Sequence, residues 1–222
     1  MHLLTKLTLA TITLSMVAFS QGLDSPFQVR YASNLTQGDS LVNITNTGAN
    51  GASLYGPGFG TAAGNICVNV YAFSPDEQLI SCCSCLVTPN GLVNVTANRD
   101  LVSNTLTGIR PNSIVIKLLA TGAGAGYSGT SCSNSAALAG SGAFPIAAGM
   151  LAWGTTLHSS TAIDPPPAGT AFSITETPFL PGTLSAEEFL SITNRCTNII
   201  GNGSTFGICR SCRLGGLGGS KL

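Results

Sequence analysis

Residues 66–91 read ICVNVYAFSPDEQLISCCSCLVTPNG, and this stretch decides the fold that we expect. Two apolar runs rich in β-formers flank the short polar segment 74–78, a pattern typical of an antiparallel hairpin closed by a loop of a few residues. Counted back from that loop, Phe73 should lie opposite Leu79. We therefore expect the rest of the chain to be organised around this hairpin.

The hairpin also holds half of the cysteines of the chain. The same counting places Cys67 opposite Cys85. Because side chains alternate between the two faces of a strand, Cys67, Cys83 and Cys85 should share one face while Cys82 points to the other. We therefore expect disulfides to join the hairpin to itself and to whatever covers its two faces.

The composition is low in charge. Only 8% of the residues are charged, 6% are aromatic, and the formal net charge is zero. An ordinary globular protein carries about 25% charged residues, so Ser, Thr, Asn and Gly must cover much of this surface. Nucleic acid is disfavoured as a partner, because no basic patch is present to displace the counterions of phosphates. A weakly charged surface offers little repulsion against self-association.

The first twenty residues have the pattern of a cleavable export signal. Lys6 gives a weakly basic start, residues 7–19 form an apolar, threonine-rich run, and residues 18–20 have the small-x-small form of a cleavage site. The run is shorter than the roughly 20 apolar residues of a membrane-spanning helix. We therefore expect a signal peptide at residues 1–20. The mature part, residues 21–222, should be a single domain without a membrane span, secreted or held at the cell surface.

Further strands are predicted along the mature chain. The criterion is a run of β-branched or alternating apolar residues bounded by turn residues. It is met by residues 27–31, 40–47, 92–96, 113–120, 150–158 and 204–209, with a further strand or bend at 100–106. Strands and turns at this spacing favour a mainly β protein with an antiparallel β-sandwich. They argue against a doubly wound α/β fold, which needs alternating strands and helices.

One amphipathic helix is predicted near the C-terminus, at about residues 186–200. Ser185 as its N-cap places Glu188 at the third helical position, which is the pattern of a capping box. Gly201 should end the helix in a left-handed conformation. One apolar stripe recurs at spacings of three and four residues over Phe189, Ile192, Cys196 and Ile199.

The cysteines form an even set, and an oxidising destination favours disulfides. Their pairing stays open, since eight cysteines allow 105 combinations. Cys196 lies on the apolar stripe of the helix, so we expect a bridge from the helix to the sheet. The disulfide candidates are Cys67, Cys82, Cys83, Cys85, Cys132, Cys196, Cys209 and Cys212.

Three segments together resemble a group of exported proteins predicted from soil-bacterial genomes. They are the run 65–71, the cluster 82–85 with the following residues 87–90, and the closing segment 207–212 with the glycine-rich residues 215–219. The resemblance covers most of the mature chain. It implies export and a shared disulfide framework, and it carries no activity or catalytic residues with it.

A thiolate metal site is the main chemical alternative. Cys82 with Cys85, and Cys209 with Cys212, form two Cys-x-x-Cys pairs with the ligand spacing of a structural zinc site. Export and the additional Cys83 favour disulfides instead. We therefore expect no cofactor.

An extracellular hydrolase is a third alternative. After removal of the signal segment His158 is the only histidine, and a catalytic triad would need it together with Asp164 and a serine. No Gly-x-Ser-x-Gly elbow occurs in the sequence. The acid pairs 76–77 and 187–188 are explained by turn chemistry and by the helix dipole. We therefore predict no catalytic residue.

These observations favour a secreted, disulfide-stabilised β-sandwich that acts without catalysis as a structural, adhesive or surface-interaction protein. Its expected partner is a second copy, the cell surface or another extracellular component. The alternative is an extracellular protein that binds a metal or a small ligand with the cysteine cluster.

Overall fold

A computed structural model describes residues 25–52, 64–122, 132, 145–159, 168–169 and 171–210. Within these residues the chain forms nine strands in two antiparallel sheets, with one α-helix packed on one sheet. The predicted disulfide-stabilised, mainly β sandwich with one C-terminal helix is confirmed. The predicted signal peptide at 1–20, most of the Gly-rich stretches at 48–64 and 121–149, Asp164, Cys212 and the tail 213–222 lie outside the described residues.

Sheet A has five strands in the order β4-β3-β6-β1-β9. They are β1 (Phe27–Ala32), β3 (Ile66–Phe73), β4 (Leu79–Val87), β6 (Ile114–Gly122) and β9 (Leu180–Pro181). Every residue of β3 and β4 is buried. Their continuous apolar runs, in place of alternation, are typical of strands that are covered on both faces.

The β3–β4 hairpin contains a β-bulge that the sequence pattern did not reveal. Phe73 lies opposite Leu79, as predicted, but Ala72 lies opposite Ser81. Ile80 is therefore an extra residue on β4, and such a residue locally disrupts the ladder and bends the strand. Because the side-chain period is two, one extra residue exchanges the faces of all residues beyond it.

Because of the bulge, one cysteine, Cys67, lies on a different face of the sheet from the one predicted. Cys67 lies opposite Leu86, so the prediction that it faces Cys85 is wrong. Cys67 shares the outer face of sheet A with Cys82, whereas Cys83 and Cys85 point into the core between the sheets. The predicted separation of Cys82 from Cys83 and Cys85 is confirmed.

Sheet B has four strands in the order β5-β2-β7-β8. They are β2 (Leu41–Asn46), β5 (Leu92–Thr96), β7 (Met150–Ser159) and β8 (Phe172–Pro178). The strands predicted at 40–47, 92–96 and 150–158 are confirmed. Strands β8 and β9 were not predicted, because serine, threonine and proline interrupt any apolar run in this part of the chain.

The segment after β5 turns back into the sandwich. Residues Ala97–Leu101 form a π-helical turn. The buried Asp100 carboxylate accepts hydrogen bonds from the Thr96 N–H at 2.7 Å and the Thr96 hydroxyl at 2.9 Å. Of the two alternatives predicted for residues 100–106, the bend is therefore the one that forms.

Two apolar clusters hold three layers together. The larger cluster lies between the sheets and includes Ile44, Val70 and Ile116. The second lies between sheet A and the helix and includes Leu119 and Ile192. Full burial of each such side chain contributes about 1.5–3 kcal/mol. Sheet A is therefore the middle layer, and sheet B has the core on one face only.

Helix α1 (Ala186–Gly201) begins where the sequence predicted. Ser185 Oγ accepts a hydrogen bond from the Glu188 N–H at 3.1 Å, which satisfies one of the free N–H groups of the first turn. The Glu188 carboxylate pairs with Lys117 Nζ of β6 and does not complete the capping box. The predicted apolar stripe is buried at Ile192, Cys196 and Ile199.

The end of the helix differs from the prediction. Gly201 is the last helical residue, and the left-handed conformation occurs at Gly203, with φ 71°. No strand forms at 204–209 in the described chain; Ile208 instead makes a single parallel bridge to Cys82. Residues with positive φ interrupt this segment, which keeps it from extending along β4.

Candidate interaction surface

Within the described residues, three disulfides join the β3–β4 hairpin to other parts of the chain. The pairs are Cys67–Cys132, Cys82–Cys196 and Cys83–Cys209, with Cα–Cα distances of 5.6, 5.9 and 5.4 Å. Cys82 ties the outer face of sheet A to the helix. Its neighbour Cys83 ties the opposite face to the segment that follows the helix. The two faces of one strand are thereby cross-linked to two different parts of the chain.

The pairing gives no support to a four-thiolate metal site. Such a site needs free thiolates, whereas Cys82 and Cys209 belong to different disulfides and Cys85 is disulfide-bonded as well. The described residues contain no group of three or more His, Cys, Asp or Glu side chains that could hold a metal ion. Cys212, the remaining candidate ligand, lies outside them.

His158 lies near the end of β7 and is exposed. Its Nε2 lies 2.7 Å from Thr175 Oγ1 on the neighbouring strand β8. In the described part of the chain no serine is hydrogen-bonded to this ring, and Asp164 lies outside that part. The contact is a cross-strand pair that supports β7–β8 pairing.

A groove of about 1240 Å³ lies between α1 and the part of sheet A beside it. Val29 and Val115 contribute to an apolar floor. Lys117 Nζ lies 4.6 Å from the centroid of the Phe73 ring and is paired with Glu188. The lysine charge is therefore neutralised within the groove by its own neighbours.

The outer face of sheet B is the second open surface, and we define it by Leu41, Asn43, Leu92, Trp153 and Ile174. The cross-strand register places these residues on the side opposite the core. Leu41, Leu92 and Ile174 are 39%, 52% and 67% exposed, and Trp153 is the only tryptophan of the chain. Among Asp, Glu, Lys and Arg, the strands of sheet B contain a single residue, a glutamate in β8.

Polar groups at this face are already hydrogen-bonded to their neighbours. Asn94 Nδ2 donates to Asn43 Oδ1 at 2.7 Å, and the Leu41 N–H donates to Thr155 Oγ1 at 2.8 Å. Covering a polar group costs free energy mainly when its hydrogen bonds are lost. The face can therefore be covered by an uncharged partner with a small desolvation cost.

Strand β8 forms an open edge of this sheet. Among the described strands it pairs with β7 alone, and every residue from Ser173 to Pro178 is exposed. An edge strand presents unpaired backbone N–H and C=O groups that can pair with another strand. Edges are commonly protected by lysine or by an interior proline. In β8 the only charged residue is Glu176, and its proline is the last residue.

Arg30 of β1 holds this edge on the sandwich. Its guanidinium donates to Thr177 O at 2.6 Å, to Thr177 Oγ1 at 2.5 Å and to Thr156 Oγ1 at 2.7 Å. It also lies 5.8 Å from the centroid of the Phe179 ring. Burial lowers the pKa of Arg30, and the nearby Glu176 carboxylate opposes that shift. One cation thus links the two sheets and fixes the position of β8.

This surface was not predicted from the sequence, because β8 was not predicted. The available signal was the alternation in residues 172–177 of larger side chains with serine and threonine, which is a strand pattern of period two. Which of the two sheets keeps an open outer face depends on where the helix packs, and no local pattern reports that.

No helix in the described part of the chain is both long enough and apolar enough to span a bilayer. No family model, curated protein or solved structure matches the chain.

Proposed function

We propose that this chain is an exported, non-catalytic structural protein that acts by surface contact through the outer face of sheet B. The observation that carries the proposal is the difference in cover between the sheets. Sheet A is covered by α1, whereas sheet B exposes Leu41, Leu92 and Ile174 on a face with a single charged residue.

The disulfides support export. Such bonds persist in oxidising compartments and are rare where thiols are kept reduced. The described bridges lie in the core of the fold, with Cys82 and Cys83 almost fully buried, so they belong to the folded structure. The export-signal pattern in the first twenty residues agrees with the same destination.

The chemistry of the surface supports contact with an uncharged partner. Leu41, Leu92 and Ile174 expose apolar side chains on a face with one charged residue, and apolar surface of this kind favours contact with an uncharged partner. A neutral face repels neither a second copy nor another neutral surface. A structural or adhesive role needs these properties and needs no acid, base or nucleophile.

A pair of matched variants tests the proposal. The first combines Leu41→Ser with Leu92→Ser on the outer face of sheet B. The control combines Leu106→Ser with Ile109→Ser, which removes apolar side chains of similar exposure from a loop. Adsorption to phenyl-coated and hydroxyl-coated silica is measured on a quartz crystal microbalance, and self-association by sedimentation velocity.

We expect the face variant to adsorb to the coated silica at least about tenfold more weakly, a loss of about 1.4 kcal/mol. The control should adsorb like the wild type. Acrylamide quenching of Trp153 should decrease on binding, because the partner covers it. Equal binding by the two variants would overturn the proposal. So would a hydrolytic activity that disappears in His158→Ala.

A further inference from the structure

We infer that two copies of this chain pair through strand β8, edge to edge and antiparallel, which joins two copies of sheet B into one continuous sheet. The inference rests on the proposed function, because the pairing joins the outer faces of two copies of sheet B into one larger contact surface.

The unpaired backbone of β8 specifies an extended strand as its partner. On the side away from β7 its N–H and C=O groups have no strand beside them in the described structure. The other edges are less suited. Strand β9 has two residues, β4 is fully buried, and β5 ends in the buried pair Val95 and Thr96. Strand β8 is therefore the longest open edge of the described fold.

The sequence of β8 favours a second copy as the donor of that strand. In an antiparallel register centred on Thr175, all seven residues of β8 find a partner. Glu176 then lies opposite Ile174 of the other copy, so the two carboxylates do not face each other. Like charges directly opposite would be destabilising, and the zero net charge adds no long-range repulsion.

A two-fold axis through Thr175 gives a closed, isologous contact. The axis runs perpendicular to the sheet, so the outer faces of both copies lie on the same side. The exposed side chains of Leu41 and Ile174 then repeat across the contact and extend one apolar face. Association stops at the dimer, because each copy has then paired β8, the longest open edge of the described fold.

Arg30 lowers the cost of this pairing. Its hydrogen bonds to Thr177 already hold β8 extended in the single copy. Ordering a flexible segment on binding costs free energy that a preorganised strand avoids.

Hydrogen exchange of the full chain, combined with sedimentation velocity, tests the inference. At high concentration the wild type should sediment as a dimer, and the β8 amides should exchange at least about tenfold more slowly than in dilute solution. Ile174→Glu should abolish both effects, because it places a carboxylate directly opposite Glu176 of the other copy, and like charges directly opposite are destabilising. Ile109→Glu is the matched control, since Ile109 is 70% exposed and Ile174 67%.

The outcomes separate the inference from the proposed function. Dimers without protection of β8 would overturn the edge pairing and leave contact through the outer face of sheet B standing. A chain that stays monomeric but still adsorbs through that face would also overturn the pairing alone. If the wild type neither adsorbs nor self-associates, both the edge pairing and the proposed function are rejected.

A cysteine pair tests the register independently. In Thr175→Cys the new thiols of two copies lie opposite each other, at the roughly 4.5–5.5 Å Cα separation of opposed residues, which suits a disulfide. In Ser173→Cys they lie four residues apart, roughly 13 Å along the strand. We expect a covalent dimer for Thr175→Cys only, with the native bridges verified by intact mass. Equal cross-linking of both variants would overturn the register.

Discussion

Sheets A and B are both antiparallel and are covered differently. Sheet A is packed against sheet B on one face and against α1 on the other, and each described disulfide starts from its β3–β4 hairpin. Sheet B has the core on one face, and its strands contain no cysteine. On the proposed function this difference separates two tasks: we expect sheet A to contribute most of the stability, while sheet B keeps a surface free for contact.

The largest effect should come from removing a bridge of sheet A. Cys83→Ala combined with Cys209→Ala opens a bridge between residues 126 positions apart. We expect the free energy of unfolding to fall by about 3–5 kcal/mol, measured by urea denaturation. Opening Cys67–Cys132, with a separation of 65, should cost about 0.6 kcal/mol less on loop length alone. An unchanged free energy of unfolding would show that this bridge of sheet A does not contribute to the stability of the fold.

The second-largest effect is expected at Arg30, which links the two sheets. Arg30→Ala removes three hydrogen bonds to Thr177 and Thr156, and bonds to a charged group are worth about 1.5–3 kcal/mol. We expect a loss of about 2 kcal/mol and faster amide exchange in β8. Arg110→Ala, at an exposed position, is the control and should change stability by less than about 0.5 kcal/mol. If both variants behave alike, Arg30 does not hold the edge strand.

A stabilising change is expected under the helix. Tyr71 is 1% exposed, and its hydroxyl has no hydrogen-bond partner within the described residues. Tyr71→Phe removes an unsatisfied polar group and should stabilise the fold by about 1 kcal/mol. Tyr31→Phe, at a residue 55% exposed, should have little effect. A destabilised Tyr71→Phe protein would mean that the hydroxyl has a partner.

The same residue predicts a pH dependence. Burial raises the pKa of the Tyr71 phenol, so the folded protein keeps this proton at pH values where the unfolded chain has lost it. The unfolded state then binds fewer protons, and stability falls as the pH rises above the ordinary tyrosine pKa of about 10. Denaturation at stepped pH should show this decline in the wild type and a smaller one in Tyr71→Phe. Parallel profiles would contradict it.

The smallest effect is expected on the outer face of sheet B. Leu92 is 52% exposed, so Leu92→Ser should change the free energy of unfolding by less than about 0.5 kcal/mol. Leu119→Ser in sheet A, at a residue 1% exposed, should cost at least about 3 kcal/mol. Comparable losses in urea denaturation would show that both sheets contribute equally to stability.

The parts of the fold that were predictable are those with local signals. Continuous apolar runs and turn residues located β1 to β7, and a serine cap with an apolar stripe located α1. The bulge at Ile80 has no such signal, because it depends on contacts from elsewhere. Ser81 Oγ donates to Leu101 O at 2.6 Å, and the Leu106 N–H donates to Ile80 O at 2.8 Å.

The candidate surface was less predictable than the fold. Neutral composition indicated self-association in general terms, but the sequence could not say which sheet stays uncovered. That is decided by the Cys82–Cys196 bridge and the apolar stripe, which place α1 on sheet A. Both depend on pairing over more than a hundred residues, and a cysteine count leaves such pairing open.

The positions of Cys82 and Cys83 in the chain also determine when their disulfides can form during synthesis. Their partners lie 114 and 126 residues further along the chain. Neither native bond can close until residues 196 and 209 have been synthesised, so Cys82 and Cys83 lack their native partners while most of the chain is made. Formation of these two disulfides is therefore a late step of folding. A chain that ends before α1 contains neither of the cysteines with which Cys82 and Cys83 pair.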